Sequence, residues 1–272
     1  MVHAFGIAPV GPPVYPEATD LQGVEHEAEA EETKRISEQR AREVLEAEVG
    51  KVRSVGVTVV EAHLVEGRVA PEIVALAEEI GAGLVALGSR GSGPLKRALM
   101  GSVSSSVVRH AHCPVMVVRD GEREGDYLPG RILLALDGSK EAHAAALTAV
   151  ELADRMDSEL HVVHVGEVRP VYHPERHGYL TRFEELQEEA RRLLDEQVEE
   201  VKSAGGTVAR THLRMGERPD RAIVDQGEKL GAGLVVVGSR GLGLLNRALM
   251  GSVSSSVVRH ASCPVLVVRR EE

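Results

Sequence analysis

Residues 238–260 read GSRGLGLLNRALMGSVSSSVVRH, and residues 88–110 read GSRGSGPLKRALMGSVSSSVVRH. Followed outward, 231–269 and 81–119 align without a gap over 39 positions, 32 of them identical, and GVTVVEAHL at 56–64 pairs more loosely with GGTVARTHL at 205–213. Self-similarity at this spacing marks a duplicated domain of ordinary size rather than a solenoid of short units. The length of 272 residues suits two such domains. Their expected limits are 1–120 and 131–272, joined by a polar, glycine-containing link at 121–130 within DGEREGDYLPG.

The second copy carries a full alternation of strands and helices. RILLALD at 131–137 is a short apolar run suited to a strand covered on both faces. The alanine- and leucine-rich SKEAHAAALTAVELADRM follows as a helix that Ser139 can cap. ELHVVHV is a second strand, after which Leu186, Ala190, Leu193, Leu194, Gln197, Val198 and Val201 mark one face of an amphipathic helix stopping at Gly205 and Gly206. TVARTHL, a helix with Pro219 near its first turn, LVVVG, the helix SVSSSVVRHA and the strand PVLVV complete the set. Such alternation implies an α/β fold, a parallel sheet with helices on both sides. The first copy begins late. Its VHAFGIAPVGPPVYPE at 2–17 matches VHVGEVRPVYHPE at 163–175, so nothing in it corresponds to 131 to about 161, which supply a strand, a helix and Asp137.

In each copy the repeated stretch leaves a buried strand, supplies three glycines (Gly88, Gly91 and Gly101, or Gly238, Gly241 and Gly251) and opens a helix that begins with serine. Glycines admit sharp turns and close approach, while the unpaired N–H groups and positive dipole end of a helix attract anions. Residues 80–119 contain no Asp or Glu but five basic residues, Arg90, Lys96, Arg97, Arg109 and Arg119. Residues 230–270 repeat the pattern with Arg240, Arg247, Arg259, Arg269 and Arg270, in a chain whose formal charge is −10. Two carboxylate-free stretches suit anion sites. The same turn and serine-led helix also serve as ordinary scaffolding, and the residues alone leave both readings open. Neither G-x-x-x-x-G-K-[ST] nor G-x-G-x-x-G fits.

The spacing Gly-x2-Gly-x9-Gly-Ser, at Gly88, Gly91, Gly101 and Ser102 and again at Gly238, Gly241, Gly251 and Ser252, resembles the ATP-binding signature of the universal stress protein family. LLALDGS at 133–139 resembles that family's first strand. The resemblance covers 131–269 fully and 2–119 apart from the absent start. It implies two tandem open parallel five-stranded sheets of order 3-2-1-4-5 with helices on both faces, the first copy lacking its first strand and helix. It also implies that the halves associate through their fifth strands. The implied ligand is ATP, with AMP or ADP as alternatives, and Mg²⁺ arriving with the nucleotide rather than at a metal site of its own. By this analogy Asp137 and the backbone of Val165 hold adenine and ribose. Gly238, Ser239, Gly241, Gly251, Ser252 and Ser254 surround the phosphates, Val237 and Val253 belong to the same nucleotide site, and Arg240 and Arg247 add charge. Gly88, Ser89, Arg90, Gly91, Gly101, Ser102 and Ser104 form a degenerate first site, because no carboxylate matches Asp137 and Ala4 stands in the place of Val165.

No general base is identifiable, since the loop has no carboxylate and Asp137 is expected at the sugar end, so no catalytic residue is assigned and at most slow ATP hydrolysis is expected. The resemblance thus implies a nucleotide-responsive regulatory protein of the stress response, compatible with further homodimerisation. Two alternatives stay open: an adenine-nucleotide α/β enzyme using DGS at 137–139 for nucleotidyl transfer, and a nucleotide-free dimeric interaction module. A charge of −10 and an aromatic content of 2% disfavour nucleic acid and anionic lipid as partners. With no long apolar run and no basic leader before one, the expected location is cytoplasmic. Cys113 and Cys263, each followed by Pro, read as buried structural thiols. His173 and His177 have helical metal-pair spacing, but VYHPERHGY contains Pro and Gly and lacks a third ligand, so they read as loop residues; His161 and His164 read as partly buried and structural. The acidic run from Glu25 reads as the solvated start of a helix.

Overall fold

A computed structural model of the chain describes residues 2–5, 20–89, 100–119, 129–168, 171–173, 178–180, 183–242 and 250–269. Packing divides the chain into two compact units, Met1–Ile80 and Gly81–Glu272.

In the first unit, β1 (Val2–Phe5) and β2 (His63–Glu66) form a two-stranded parallel sheet with Val2 opposite His63. The helix α1 (Asp20–Ser54) contains the acidic run from Glu25, and α2 (Val69–Glu79) follows β2. Ala41, Leu45 and Val49 recur every fourth residue along α1 and are buried, as are Ala70, Leu76 and Ala77 of α2. This is the apolar stripe by which a helix covers a sheet. Pairing is limited to the four described residues of β1, so β2 starts at His63 while Val57 and Val60 before it are exposed.

The second unit runs β3 (Val85–Gly88), α3 (Ser102–His110), β4 (Val115–Val118), β5 (Arg131–Leu136), α4 (Lys140–Met156), β6 (Glu159–Gly166), β7 (Val171–His173), β8 (Gly178–Leu180), α5 (Phe183–Ser203), β9 (Val208–Met215), α6 (Pro219–Leu230), β10 (Leu234–Gly238), α7 (Ser252–His260) and β11 (Val265–Val268). Its main sheet has the order β3-β4-β11-β10-β5-β6-β9. Within the second copy this is 3-2-1-4-5. The first copy departs from a five-stranded sheet of its own: β3 and β4 extend the sheet of the second copy, while β1 and β2 pair in the other unit. Registers are nonetheless copied. Val85 faces Val115 as Val235 faces Val265, and Val2 faces His63 as Val163 faces His212.

The two copies meet where β4 and β11 run antiparallel, Met116 opposite Leu266. Across this seam Arg119 donates to the carbonyls of Val258, at 2.9 Å, and Arg259. Arg269 returns the arrangement with the carbonyls of Val108, at 3.0 Å, and Arg109, at 2.5 Å. Each guanidinium therefore caps the negative end of the other copy's serine-led helix.

Ile132, Leu133 and Leu134 of β5 are all 0% exposed, as expected for a strand with helices on both faces. Burying each such side chain contributes about 1.5–3 kcal/mol. Ile132, Leu134 and Leu136 join Ala142, Ala145, Ala146 and Ala149 of α4 in one core, where the small alanines bring the helix close to the sheet. Leu133 points to the opposite face, toward Gly227 of α6. Ser139 caps α4 by accepting from the Ala142 N–H at 3.1 Å, and Pro219 stands at the start of α6. His173 ends a strand rather than lying in a loop, with β7 antiparallel to β8 and His173 opposite Gly178. His177 and the 120–128 part of the link lie outside the described residues.

Candidate functional site

Strand β5 has β10 on one flank and β6 on the other, so the connections leaving its neighbours diverge. Such a reversal leaves a crevice beyond the carboxyl ends of the strands. A cavity of about 670 Å³ opens there.

One wall is the turn from β5 into α4. The Ser139 N–H donates to Oδ1 of Asp137 at 3.0 Å across Gly138, whose φ of +82° favours glycine. The facing wall is the loop after β10. A Cβ on Gly238 would stand 2.8 Å from the backbone carbon of Glu141 and 3.0 Å from the amide nitrogen of Ala142, atoms that cannot give way. A Cβ on Gly241 would fall onto Oδ2 of Asp137. These motif glycines thus permit two pieces of the protein to touch. The loop is tied at several points. Gly251 N–H donates to Ser239 at 2.8 Å, Ser239 N–H to Val268 at 2.8 Å, and the Ser139 hydroxyl to the Arg240 carbonyl at 3.3 Å. The Ser254 hydroxyl lies 2.9 Å from the Gly238 carbonyl and 3.1 Å from that of Ser239.

The start of α7 completes the enclosure. Its N-cap, Gly251, has no side chain to satisfy the first N–H groups, so the amides of Ser252, Val253 and Ser254 and the positive end of the helix are presented where these residues line the cavity. Asp137, Val165, Val237, Gly238, Arg240, Gly241, Gly251, Ser252, Val253 and Ser254 all form its walls. Ser239 does not. It is 0% exposed and acts through its backbone. Arg247 lies outside the described residues.

Several wall residues carried no sequence signal for a ligand site. Pro219 and Ile223 from the start of α6, Leu193 from α5 and the alternate β-strand residues Ala135 and Val163 give the cavity its apolar side. Pro219 and Leu193 were legible only as helix-start and core positions. His164, 6% exposed, also lines it; its Nδ1 lies 2.8 Å from the Leu136 carbonyl, which can only accept, so that nitrogen carries the proton. Glu141, in the first turn of α4, carried no site signal in the sequence. It pairs with Arg240 at 2.9 Å, each side chain 17% exposed. The Arg269 guanidinium is held below its usual pKa by burial first and by the charge of Arg240 second.

The first copy repeats the loop scaffold. Ser104 Oγ donates to the Gly88 carbonyl at 2.8 Å, Gly101 N–H to Ser89 at 2.8 Å, and Ser89 N–H to Val118 at 2.7 Å, with Ser102 opening α3. Arg90 and Gly91 lie outside the described residues.

Elsewhere His161, 6% exposed, stacks on His212 with ring centroids 5.6 Å apart, and Gln226 bonds the far side of His212 at 3.2 Å. Cys113 and Cys263 are buried and free of disulfides. Among the described residues, no group of three or more His, Cys, Asp or Glu is arranged to hold a metal ion, and no helix is long and apolar enough to cross a membrane.

A sequence profile described as the universal stress protein family matches residues 9–119 and 129–269. Universal stress protein Rv2005c of Mycobacterium tuberculosis is 36% identical over 215 residues, covering 78% of this chain and 69% of its own. Universal stress protein Rv2623 of the same organism is 33% identical over 218 residues, covering 79% and 70%. Among solved structures, a universal stress protein from Archaeoglobus fulgidus superposes with a TM-score of 0.64 at 26% identity, covering 93% of this chain and 84% of its own.

Proposed function

The chain belongs to the universal stress protein family, and from that premise we propose that it is a nucleotide-responsive regulatory protein whose second repeat binds ATP. The observation that carries this reading is one cavity with a carboxylate on one wall and a glycine-bounded helix start on the other. Asp137 is suited to accept hydrogen bonds from ribose hydroxyls. Backbone groups at the end of β6, near Val165, and the apolar side formed by Pro219 and Ile223 suit an adenine ring. The amides at 252–254 suit phosphate oxygens, because oriented N–H dipoles compensate anionic charge without a mobile cation. Mg²⁺ would enter with the nucleotide, on phosphate oxygens.

The first repeat keeps the loop scaffold, and no carboxylate within 1–120 aligns with Asp137, so in this reading the one tight site is in the second repeat. The duplication units remain 1–120 and 131–272 in this reading, and the halves pair through β4 and β11. The loop and helix start at 238–254 contain no Asp or Glu to act as a base, and in this reading the protein acts by binding, with at most slow hydrolysis.

Calorimetric titration with ATP, ADP and AMP, together with mass spectrometry of nucleotide extracted from protein purified without added ligand, tests the proposal. One tight adenine-nucleotide site per chain is expected. Absence of any binding, or two equal tight sites, would overturn it.

A further inference from the structure

Glu141 lies outside the motif yet pairs with its Arg240. It sits in the first turn of α4, where a carboxylate is favoured by the helix dipole, and its backbone is already locked against Gly238. Its side chain is 83% removed from solvent and meets Arg240 at 2.9 Å. Among the described wall residues Arg240 supplies the Lys or Arg charge, while Asp137 and Glu167 are acidic. The charge of Arg240, which belongs to the carboxylate-free loop, is therefore balanced from another helix. A second restraint acts on the backbone of the same residue, because the Ser139 hydroxyl holds the Arg240 carbonyl at 3.3 Å.

A phosphate group brings about two negative charges and a triphosphate more. Each further phosphate must be balanced by backbone amides, by a metal ion, or by drawing Arg240 from Glu141. The last route leaves a poorly solvated carboxylate behind, which is costly. We propose that Glu141 is a specificity-determining residue: by holding the Arg240 guanidinium, it makes the cavity favour AMP and ADP over metal-free ATP, with triphosphate accepted once a divalent cation has neutralised it. This deepens, and rests on, the reading of the cavity as an adenine-nucleotide site.

The test is calorimetric titration of the full chain with AMP, ADP and ATP, each in EDTA and in Mg²⁺. In EDTA the unaltered protein should bind AMP more tightly than ATP, and Mg²⁺ should narrow the difference. Glu141→Gln, which keeps shape and removes charge, should tighten metal-free ATP by about tenfold and AMP by at least about threefold less, the scale of one charge-assisted contact. In an Arg240→Gln background the same change should lose that selectivity. If Glu141→Gln fails to fold, as seen by thermal unfolding, Arg240→Gln alone still decides: it should weaken ATP more than AMP because Glu141 is left unopposed. Equal effects on all three nucleotides in either variant would overturn the inference while leaving the nucleotide site intact. Failure of the unaltered protein to bind any of them would overturn both.

Discussion

The Asp137 carboxylate occupies the space that a side chain at position 241 would need, so the turn after β5 and the loop after β10 close on each other only because residue 241 is glycine. Gly241→Ala is expected to push Asp137 aside and weaken nucleotide binding by about tenfold or more, the scale of one charged hydrogen-bonding group. Asp137→Ala should lose a similar amount, and the double variant little beyond either one. Additive losses in titration would show that the two residues act separately.

Ser139 links helix capping to loop position, accepting from Ala142 N–H and donating to the Arg240 carbonyl. Ser139→Ala should cost about 1 kcal/mol of stability, the usual value of an N-cap. It should also weaken nucleotide binding, which an isolated cap would not do. Urea unfolding and titration read the two effects.

Arg119 and Arg269 each hold the last carbonyls of the other copy's helix. Arg269→Ala should destabilise by about 1–2 kcal/mol, as expected for a charged donor on part-buried and exposed helix-end carbonyls, and Arg269→Lys should recover only part because an ammonium lacks the planar fork. Equal stability of Arg269→Lys and the unaltered protein in chemical denaturation would contradict the capping role.

Asp220 sits at the start of α6 and ties it to α7 through the Ser256 hydroxyl at 2.6 Å. Burial raises its pKa, but the Ser256 and Arg218 hydrogen bonds and the Arg218 charge outweigh burial, and the net shift is downward. The folded state then binds fewer protons than the unfolded one in acid. Its contribution is complete above the ordinary carboxylate value of about 4 and is lost as pH falls through the depressed folded value. Ser256→Ala should flatten that acid limb in stability measured against pH.

His212 is driven below its usual pKa by burial first and then by the charges of His161, Arg210 and Arg214. Unfolded chains take up a proton on this ring near its ordinary value of 6.5, whereas the folded protein resists it. Stability is therefore full above that pH and declines below it until the folded ring also titrates. His212→Gln should reduce the decline on the acidic side of pH 6.5, measured by thermal unfolding across pH.

Strand and helix identities in the second copy were readable because each element carries a local signal. The unbroken ILLAL of β5 announces burial on both faces, the spacing from Ala190 to Val201 announces one helical face, and Ser139 and Pro219 mark helix starts. The glycine spacing located the loop for the same reason, since a close approach leaves glycine as its trace. Glu141 and Ile223 left no such trace. A first-turn glutamate and an apolar helix residue look ordinary until the fold brings Glu141 beside Arg240, about a hundred positions on, and Ile223 onto the wall of the cavity that Asp137 also lines.

By itself the sequence determined the duplication, the alternation of elements and the glycine-bounded loop scaffold, because these are matters of local pattern and composition. Only the tertiary structure decided that β3 and β4 would extend the sheet of the second copy. It alone decided that Ser239 would face the interior and that Arg240 would be held by Glu141. Those outcomes depend on which edges and charges meet in space, and a strand edge or a guanidinium takes whichever partner the packing brings within hydrogen-bond range.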